Sequence, residues 1–151
     1  MDCLVKLYQL PVLNSGDTKI IFRRVMAYEK TKVLNWVKSE FTVAWSDECS
    51  VAFSQPMISC FIAIEGGNII GFACYDCTQK NFFGPMGVAE KSRQKGVGRH
   101  LMITAFHAME EMGYAYAIIG GCDGQVDYYS NAVGAIPIEN STPGIYSDKL
   151  K

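Results

Sequence analysis

The residues that decide the fold are Phe82-Phe-Gly-Pro-Met-Gly-Val88, the bend Arg93-Gln-Lys-Gly-Val-Gly98 and the helical pattern behind it, all within residues 81–112. In the helical pattern, apolar residues recur at three- and four-residue spacing, which is the period of one helix face. These residues are Val97, Leu101, Ala105, Ala108, Met109 and Met112. Gly113 follows, and glycine is common just past the end of a helix. The stretch therefore predicts a short strand, a bend and a long helix with one buried face.

The predicted strand at 82–88 contains three residues that disturb strands. Pro85 cannot donate a ladder hydrogen bond, and Gly84 and Gly87 weaken the interior of a strand. We expect a bulge or a partly unpaired strand edge at this point.

The bend before the helix has the properties of an anion site. The first four N–H groups of a helix have no internal partner, and the aligned peptide dipoles leave about half a positive charge there. Gly96 and Gly98 allow a ligand to approach the backbone, while Arg93, Lys95 and Arg99 add positive charge. The sequence therefore predicts a site for a phosphate or pyrophosphate.

The common nucleotide motifs do not fit this bend. A Walker A loop, G-x-x-x-x-G-K-[ST], is absent from the sequence. The dinucleotide pattern G-x-G-x-x-G fails because Gly96 and Gly98 are followed by Leu101 instead of a third glycine. Neither ATP nor NAD is favoured.

Two motifs in the correct order resemble those of the GNAT superfamily of acyl-coenzyme A N-acyltransferases. Arg93-Gln-Lys-Gly-Val-Gly98 is similar to motif A, R/Q-x-x-G-x-G/A, and Tyr128-Tyr-Ser-Asn-Ala-Val-Gly-Ala135 is similar to the later motif that opens with an aromatic-tyrosine pair. The resemblance covers about residues 58–147. It implies an α/β protein with one GNAT domain over residues 1–151, in which about four helices flank a mixed, mostly antiparallel sheet.

The resemblance also implies the residues of the cofactor site. Backbone N–H groups of the disturbed strand, at Met86 and Val88, would contact the acyl carbonyl and the pantetheine chain of acetyl-CoA. The pyrophosphate would lie on the bend. The implied cofactor-binding residues are Met86, Gly87, Val88, Arg93, Gln94, Lys95, Gly96, Val97, Gly98 and Arg99. Tyr129 matches the family tyrosine that serves as general acid for the departing thiolate.

Two features depart from the family pattern. Many relatives carry a glutamate on the central strand, but residues 82–88 include no carboxylate, so Asp76, Glu48 or a bound water is left as the candidate base. Many relatives also have an asparagine that binds coenzyme A in the loop where this chain has Gly121-Cys-Asp123. That polar contact is therefore in doubt.

The acceptor site is the least determined part of the sequence. Trp45 and Glu48 lie in a predicted helical stretch, where tryptophan packs in many proteins and glutamate is a common surface charge. The alternative is an aromatic wall and a carboxylate that recognise a cationic amine. Both interpretations are left open, with Trp45, Glu48 and Asp76 as candidate substrate residues.

Composition limits the remaining possibilities. The chain has 151 residues, enough for one domain of ordinary size, and its net charge of −1 favours neither nucleic acid nor an anionic membrane as a partner. It shows no signal peptide and no apolar run of about 18 residues, so we expect a cytoplasmic protein. A homodimer is common among proteins that resemble it, and the oligomeric state is left open.

Six cysteines are expected to be free and mostly buried, because they sit among apolar residues. Cys74 and Cys77 have C-x-x-C spacing, but no second pair and no histidine cluster completes a tetrahedral zinc site. We therefore interpret the pair as incidental and expect no metal. An acyl-enzyme at Cys122 is disfavoured because His100 and His107 lie on the long helix, away from it in sequence.

The remaining elements follow from hydrophobic periodicity and turn residues. We predict a first strand within residues 3–11, a turn at 14–17, strands at 19–25, 58–64, 68–75 and 114–120, helices at 27–39, 41–53 and 126–133, and a terminal hairpin of 135–138 with 144–147 around a type II turn at Pro143-Gly144.

The predicted function is transfer of an acetyl group from acetyl-CoA to a primary amine by direct attack. The main alternative is a non-catalytic acyl-CoA-binding module that senses the cofactor or regulates a partner. A different phosphate binder that shares only the bend is a weaker alternative.

Overall fold

Seven strands form one mixed sheet in the computed structural model, which describes residues 1–14 and 19–151. In chain order they are β1 (Asp2–Lys6), β2 (Ile20–Arg24), β3 (Cys60–Glu65), β4 (Asn68–Tyr75), β5 (Phe82–Val88), β6 (Tyr116–Ile119) and β7 (Ile136–Ile138). Their order in the sheet is β2-β3-β4-β5-β6-β1-β7, and only the β5–β6 pair is parallel. The predicted fold, a mostly antiparallel sheet with a strand–helix–strand unit, is confirmed.

Four α-helices cover the sheet in the described residues: α1 (Lys30–Glu40), α2 (Val43–Val51), α3 (Val97–Glu111) and α4 (Val126–Val133). Side chains alternate across a strand. In β3, Phe61 and Ala63 pack in the hydrophobic cluster that contains the buried face of α3, while Cys60 and Ile62 pack in the cluster that contains α1 and α2. The central strands are therefore buried on both faces and read as continuous apolar runs.

The strand predicted to be disturbed is indeed irregular. Its register with β4 shifts between Ala73 and Tyr75, and its parallel pairing with β6 is limited to Phe82 and Phe83. Beyond Phe83 the two strands diverge, so one edge of β5 has no neighbouring strand. The fold opens a cleft at this point.

Helix α3 begins after the predicted bend. Gly96 has φ 75°, in the left-handed region that favours glycine, and Val97 starts the helix. The apolar positions of the pattern are buried up to Met109, but Met112 is 57% exposed and lies at the end of the helix. The prediction that Met112 belongs to the buried face is wrong, because the helix ends there.

The N-terminal helical region has two helices, as predicted. Thr42 caps α2, since its Oγ1 accepts a hydrogen bond from the N–H of Trp45 (3.0 Å). Before α1, the Glu29 carboxylate accepts two hydrogen bonds from Arg23, of 2.7 and 2.8 Å. The Arg23 guanidinium lowers the pKa of Glu29 to about 2.

The predicted terminal hairpin is wrong. Strand β7 instead pairs with β1, and Gly144–Tyr146 forms a 3-10 turn. The backbone at Pro143 has ψ 2°, which does not fit the first central position of a type II turn. The free edge of β1 competes for the segment, because the Asp2 N–H also donates to Ser141 Oγ (2.7 Å).

Three other predictions concern an early turn, the cysteines and membrane-spanning segments. The turn predicted at 14–17 lies almost entirely outside the described residues. All six cysteines are buried and free, as predicted. None of the helices in the described ranges is long and apolar enough to cross a membrane.

Candidate active site

The divergence of β5 and β6 opens a cleft of about 890 Å³. Its walls come from β5, from the bend and first turn of α3, from α4, from α2 and from the C-terminal 3-10 turn. The cleft therefore extends from the glycine bend at one end to the α2 side of the sheet at the other.

The bend end of the cleft presents backbone donors. Within residues 1–14 and 19–151, no protein acceptor takes a hydrogen bond from the N–H groups of Val97, Gly98 or Arg99, and the His100 N–H is the earliest to find one, on Gly96 (3.0 Å). These unpaired donors stand at the positive end of the helix dipole. An anion in the cleft can be bound there.

The three cations of the bend point in different directions. Arg93 and Arg99 line the cleft, and Arg93 Nε donates a hydrogen bond to the Val88 carbonyl (3.2 Å). Lys95 instead pairs with Glu65 (3.7 Å) and is not part of the cleft wall. The two arginines thus supply the side-chain charge nearest to the unpaired N–H groups.

The backbone of β5 faces the cleft at alternate residues. The Ala89 N–H donates to the Ile70 carbonyl (2.8 Å), and in an antiparallel pair alternate residues direct their backbone groups to the partner strand. The backbone groups of Met86 and Val88 therefore face away from β4, toward the side where β6 has diverged. They can pair with an extended ligand.

The Phe41 ring packs directly against Gly87 of β5. A Cβ added to Gly87 would lie only 2.4 Å from Phe41 Cζ, so only glycine permits this approach. The Phe41 ring also packs against Trp45, with ring centroids 5.2 Å apart.

Two adjacent tyrosines of α4 line the cleft opposite the bend. Tyr128 and Tyr129 contact each other edge to face at 5.2 Å, and a Cβ at Gly98 would lie 3.8 Å from the Tyr128 hydroxyl. Tyr129 is the more buried of the two, and burial raises its pKa to about 12. Its hydroxyl therefore carries its proton throughout the neutral pH range.

Glu48 and Trp45 line the far end of the cleft. The Glu48 carboxylate accepts a hydrogen bond from Thr78 Oγ1, and Tyr146 lies close enough for the Glu48 charge to help raise its pKa, although burial is the main cause. The far end thus combines one carboxylate with aromatic side chains.

Asp76 has a different position. Its carboxylate accepts hydrogen bonds from the Asn81 N–H (2.7 Å) and the Tyr114 hydroxyl (3.0 Å), it is buried, and it is not part of the cleft wall. Asp76 therefore stabilises the turn between β4 and β5.

The sequence matches the model of the acetyltransferase (GNAT) family over residues 30–130, which is about two thirds of the chain. The chain belongs to the GNAT family. The family that this model describes consists of acetyltransferases. No curated protein matches the sequence significantly.

Solved structures share the fold at low sequence identity. A GCN5-related N-acetyltransferase from Sphaerobacter thermophilus is 17% identical with a TM-score of 0.71, and the match covers 89% of this chain and 47% of that one. One from Kribbella flavida is 16% identical with a TM-score of 0.64, covering 90% and 53%. A GNAT family N-acetyltransferase from Escherichia coli in complex with CoA is 16% identical with a TM-score of 0.53, covering 68% and 63%. The chain thus spans less than two thirds of each.

Sequence reasoning missed several residues of the cleft wall, and three of them come from the α2 side and the C-terminal segment or the turn after β4. Phe41 was expected only as the start of a helix, Tyr146 as part of a hairpin strand, and Thr78 not at all. The one local signal is Thr42, whose preference for helix caps would have placed Phe41 in the loop before α2. The other two reach the cleft through contacts between distant segments.

The loop that replaces the usual asparagine contacts the N-terminal strand. The Gly121 N–H donates to Asp2 Oδ1 (3.0 Å), the Cys122 N–H donates to the Met1 carbonyl (2.8 Å), and the Asp123 carboxylate pairs with the Met1 amino group (2.7 Å). Gly121 lines the cleft, but Asp123 does not. The Asp123 side chain is therefore engaged outside the cleft.

Proposed function

We propose that this chain transfers the acetyl group of acetyl-CoA to the primary amine of a small cationic acceptor by direct attack. The observation that supports the proposal is that one cleft contains the unpaired helix N–H groups, the exposed backbone edge of β5 and the Tyr129 side chain. The amine nitrogen attacks the thioester carbonyl, the C–S bond breaks, and the thiolate leaves as coenzyme A after it gains a proton.

The bend binds the pyrophosphate in this proposal. The N–H groups of residues 97–99 donate to its oxygens, and Arg93 and Arg99 add charge from either side. The remaining bend residues contribute backbone shape, with Lys95 held by Glu65.

The pantetheine chain extends from the bend along β5. It accepts hydrogen bonds from the N–H groups of Met86 and Val88 in the manner of an added strand. The thioester carbonyl then lies beside a β5 N–H group, which stabilises the oxyanion as it develops.

Tyr129 donates the proton to the thiolate. Its hydroxyl is protonated at neutral pH, and its side chain lines the cleft beside β5, where the thioester sulfur would lie. Tyr128 is more exposed and lies closer to the bend, where it contacts the region of the pyrophosphate.

The acceptor binds at the α2 end of the cleft. The Glu48 carboxylate, oriented by Thr78, attracts a protonated amine, and the rings of Phe41, Trp45 and Tyr146 provide faces for a cation or an apolar chain. A free amine with a pKa near 10.4 is neutral in only about one molecule in 10³ at pH 7. Glu48, or a water that it holds, is the group placed to remove the proton.

The experiment is a thiol-release assay with acetyl-CoA and a panel of amines, at equal concentrations of polyamines, amino acids and aminoglycosides. We expect release above background with at least one cationic amine. Because residues 82–88 lack a carboxylate, a non-catalytic acyl-CoA sensor is the second candidate. Binding of acetyl-CoA without turnover of any amine would favour the sensor.

The Tyr129→Phe variant tests the proton donor. We expect kcat to fall by about 10²–10⁴-fold, with the Kd of acetyl-CoA changed less than twofold. Tyr116→Phe is the matched control, because Tyr116 lies outside the cleft wall, and it should keep kcat within a few-fold. An unchanged kcat in Tyr129→Phe would exclude the role.

A further inference from the structure

Three cysteines converge behind the cleft although they are far apart in sequence. Cys49 comes from α2, Cys60 from β3 and Cys74 from β4, and all three side chains are fully buried. Their sulfur atoms lie within 4.8 Å of one another, and the Cys49 and Cys60 sulfurs are 3.9 Å apart. We call these residues the thiol triad.

The backbone holds the triad in place. Cys60 and Cys74 are direct partners in the β3–β4 pairing, so their side chains leave the same face of the sheet side by side. Cys49 approaches from the helix that packs on this face. Valine, isoleucine and phenylalanine side chains of the same hydrophobic cluster, among them Val37, Ile62 and Phe72, enclose the three sulfurs.

The spacing of the sulfurs suits a metal ion. Three sulfurs 3.9 to 4.8 Å apart surround a point about 2.3 to 2.8 Å from each, and metal–thiolate bonds are about 2.3 Å long for zinc. A small inward movement of the side chains would bring all three within bonding distance. The geometry is that of a three-coordinate site.

We propose that the thiol triad binds one soft monovalent cation, of which Cu(I) is the example, through three sulfur atoms. Thiolates are the ligands that Cu(I) prefers, and Cu(I) accepts coordination by three sulfur atoms. Each S–H that becomes a metal ligand releases its proton to solvent, and the oxidation state of the ion does not change. No redox step is involved.

Zinc fits the triad less well. Structural zinc sites are almost always four-coordinate, and in the part of the chain that the structure describes no histidine, aspartate or glutamate joins the three cysteines. Cys77 is a further thiol of the same hydrophobic cluster, and its sulfur contacts Ser59 Oγ at 3.6 Å and the Tyr75 carbonyl at 3.4 Å. It is not one of the three sulfurs that lie within 4.8 Å of one another.

A cation here would connect α2 to the sheet. The same helix carries Cys49 on its buried side and Trp45 and Glu48 in the cleft wall. Binding of the ion would therefore fix the position of the acceptor side of the cleft without any contact with substrate.

The test uses the whole chain, reduced and metal-free, titrated anaerobically with Cu(I) against a chromophoric Cu(I) chelator. We expect one ion per chain, and an affinity at least about 100-fold lower in Cys49→Ala, Cys60→Ala and Cys74→Ala. Cys122→Ala removes a buried thiol outside the triad and should bind as the unchanged chain does. Loss of affinity in Cys122→Ala alone, or no loss in the triad variants, would overturn the proposal.

A second measurement needs no variant and decides the matter if an alanine variant does not fold. X-ray absorption of the Cu(I)-loaded chain should show sulfur ligands only, three per copper, together with a raised Tm. Oxygen or nitrogen ligands, or no saturable binding, would show that the triad is only packed thiols. Tighter binding of Zn²⁺ than of Cu(I) would refute the choice of a monovalent ion.

Discussion

Replacing Gly98 with alanine separates the stability of α3 from the binding of coenzyme A. The new Cβ would lie 3.4 Å from Val88 Cγ2, 3.8 Å from the Tyr128 hydroxyl and 4.0 Å from Met86 Cε. These are ordinary van der Waals distances, so the fold can accept the methyl group. The same contacts show that the methyl group would point into the cleft, beside the unpaired N–H groups.

Gly98→Ala should raise the stability of the fold and weaken the binding of coenzyme A. Alanine in place of a helical glycine stabilises by roughly 0.5–1 kcal/mol, which raises Tm by about 1–4 °C for a chain of this size. In the cleft the methyl group keeps the pyrophosphate from one backbone donor. Hydrogen bonds to charged groups contribute about 1.5–3 kcal/mol, so the Kd of coenzyme A should rise by about 10- to 150-fold.

Thermal unfolding and calorimetric titration with coenzyme A measure the two quantities on the same samples. Thr104→Ala is the control, because Thr104 lies on α3 outside the cleft wall and bonds only to the His100 carbonyl. The Kd of coenzyme A for Thr104→Ala should equal that for the unchanged chain. A stable Gly98→Ala variant with an unchanged Kd would refute the binding of the pyrophosphate at this helix end.

Three further changes test other contacts. Glu48→Gln should raise the KM of a cationic acceptor at least about tenfold in steady-state assays, because a charged hydrogen bond is lost. The KM of acetyl-CoA should not change. An unchanged KM of the acceptor would show that Glu48 does not bind it. Gly87→Ala should lower the free energy of unfolding in urea by about 1–3 kcal/mol, because the new methyl group clashes with the Phe41 ring. The loss should be smaller when Phe41 is also replaced by leucine. Equal losses with and without Phe41→Leu would show that Gly87 and Phe41 are not coupled. The pKa of Glu29 is lowered to about 2, so its ion pair stabilises the fold above about pH 4.3 and is lost as the pH falls through about 2. Glu29→Gln should lack about 1 kcal/mol of that acid dependence, and identical pH profiles of urea unfolding for both chains would contradict the assignment.

Local sequence signals predicted most of the fold. The Glu65-Gly66-Gly67 turn joins the strands predicted at 58–64 and 68–75, and both glycines have positive φ, 58° and 80°, as a two-residue hairpin turn needs. The period of residues 97–109 predicted α3, and Gly134 at φ 68° ends α4 as predicted. Each of these signals acts within a few residues of the structure that it specifies.

The errors arose where distant segments compete. The terminal segment has turn residues typical of a hairpin, but the free edge of β1 offers backbone partners that no local pattern reveals. Asp76 was a candidate base and substrate residue, but its carboxylate accepts hydrogen bonds from the following turn and from Tyr114 and lies outside the cleft wall.

The same limit explains the parts of the site that were missed. The ring of Phe41 reaches Gly87 across 46 positions of sequence, and the thiol triad joins a helix to two strands. By contrast, the bend and Tyr129 could be named beforehand, because each lies in a short motif. The bend end of the cleft is thus readable from sequence, and the α2 end requires the fold.

Calorimetric titration of the unchanged chain with coenzyme A, and in parallel with ATP and NAD, tests the central claim most directly. If the free N–H groups of the bend hold the pyrophosphate while β5 pairs with the pantetheine chain, coenzyme A should bind one to one, and ATP and NAD, which lack pantetheine, should bind far more weakly. Equal binding of all three ligands, or no binding of coenzyme A, would contradict the account.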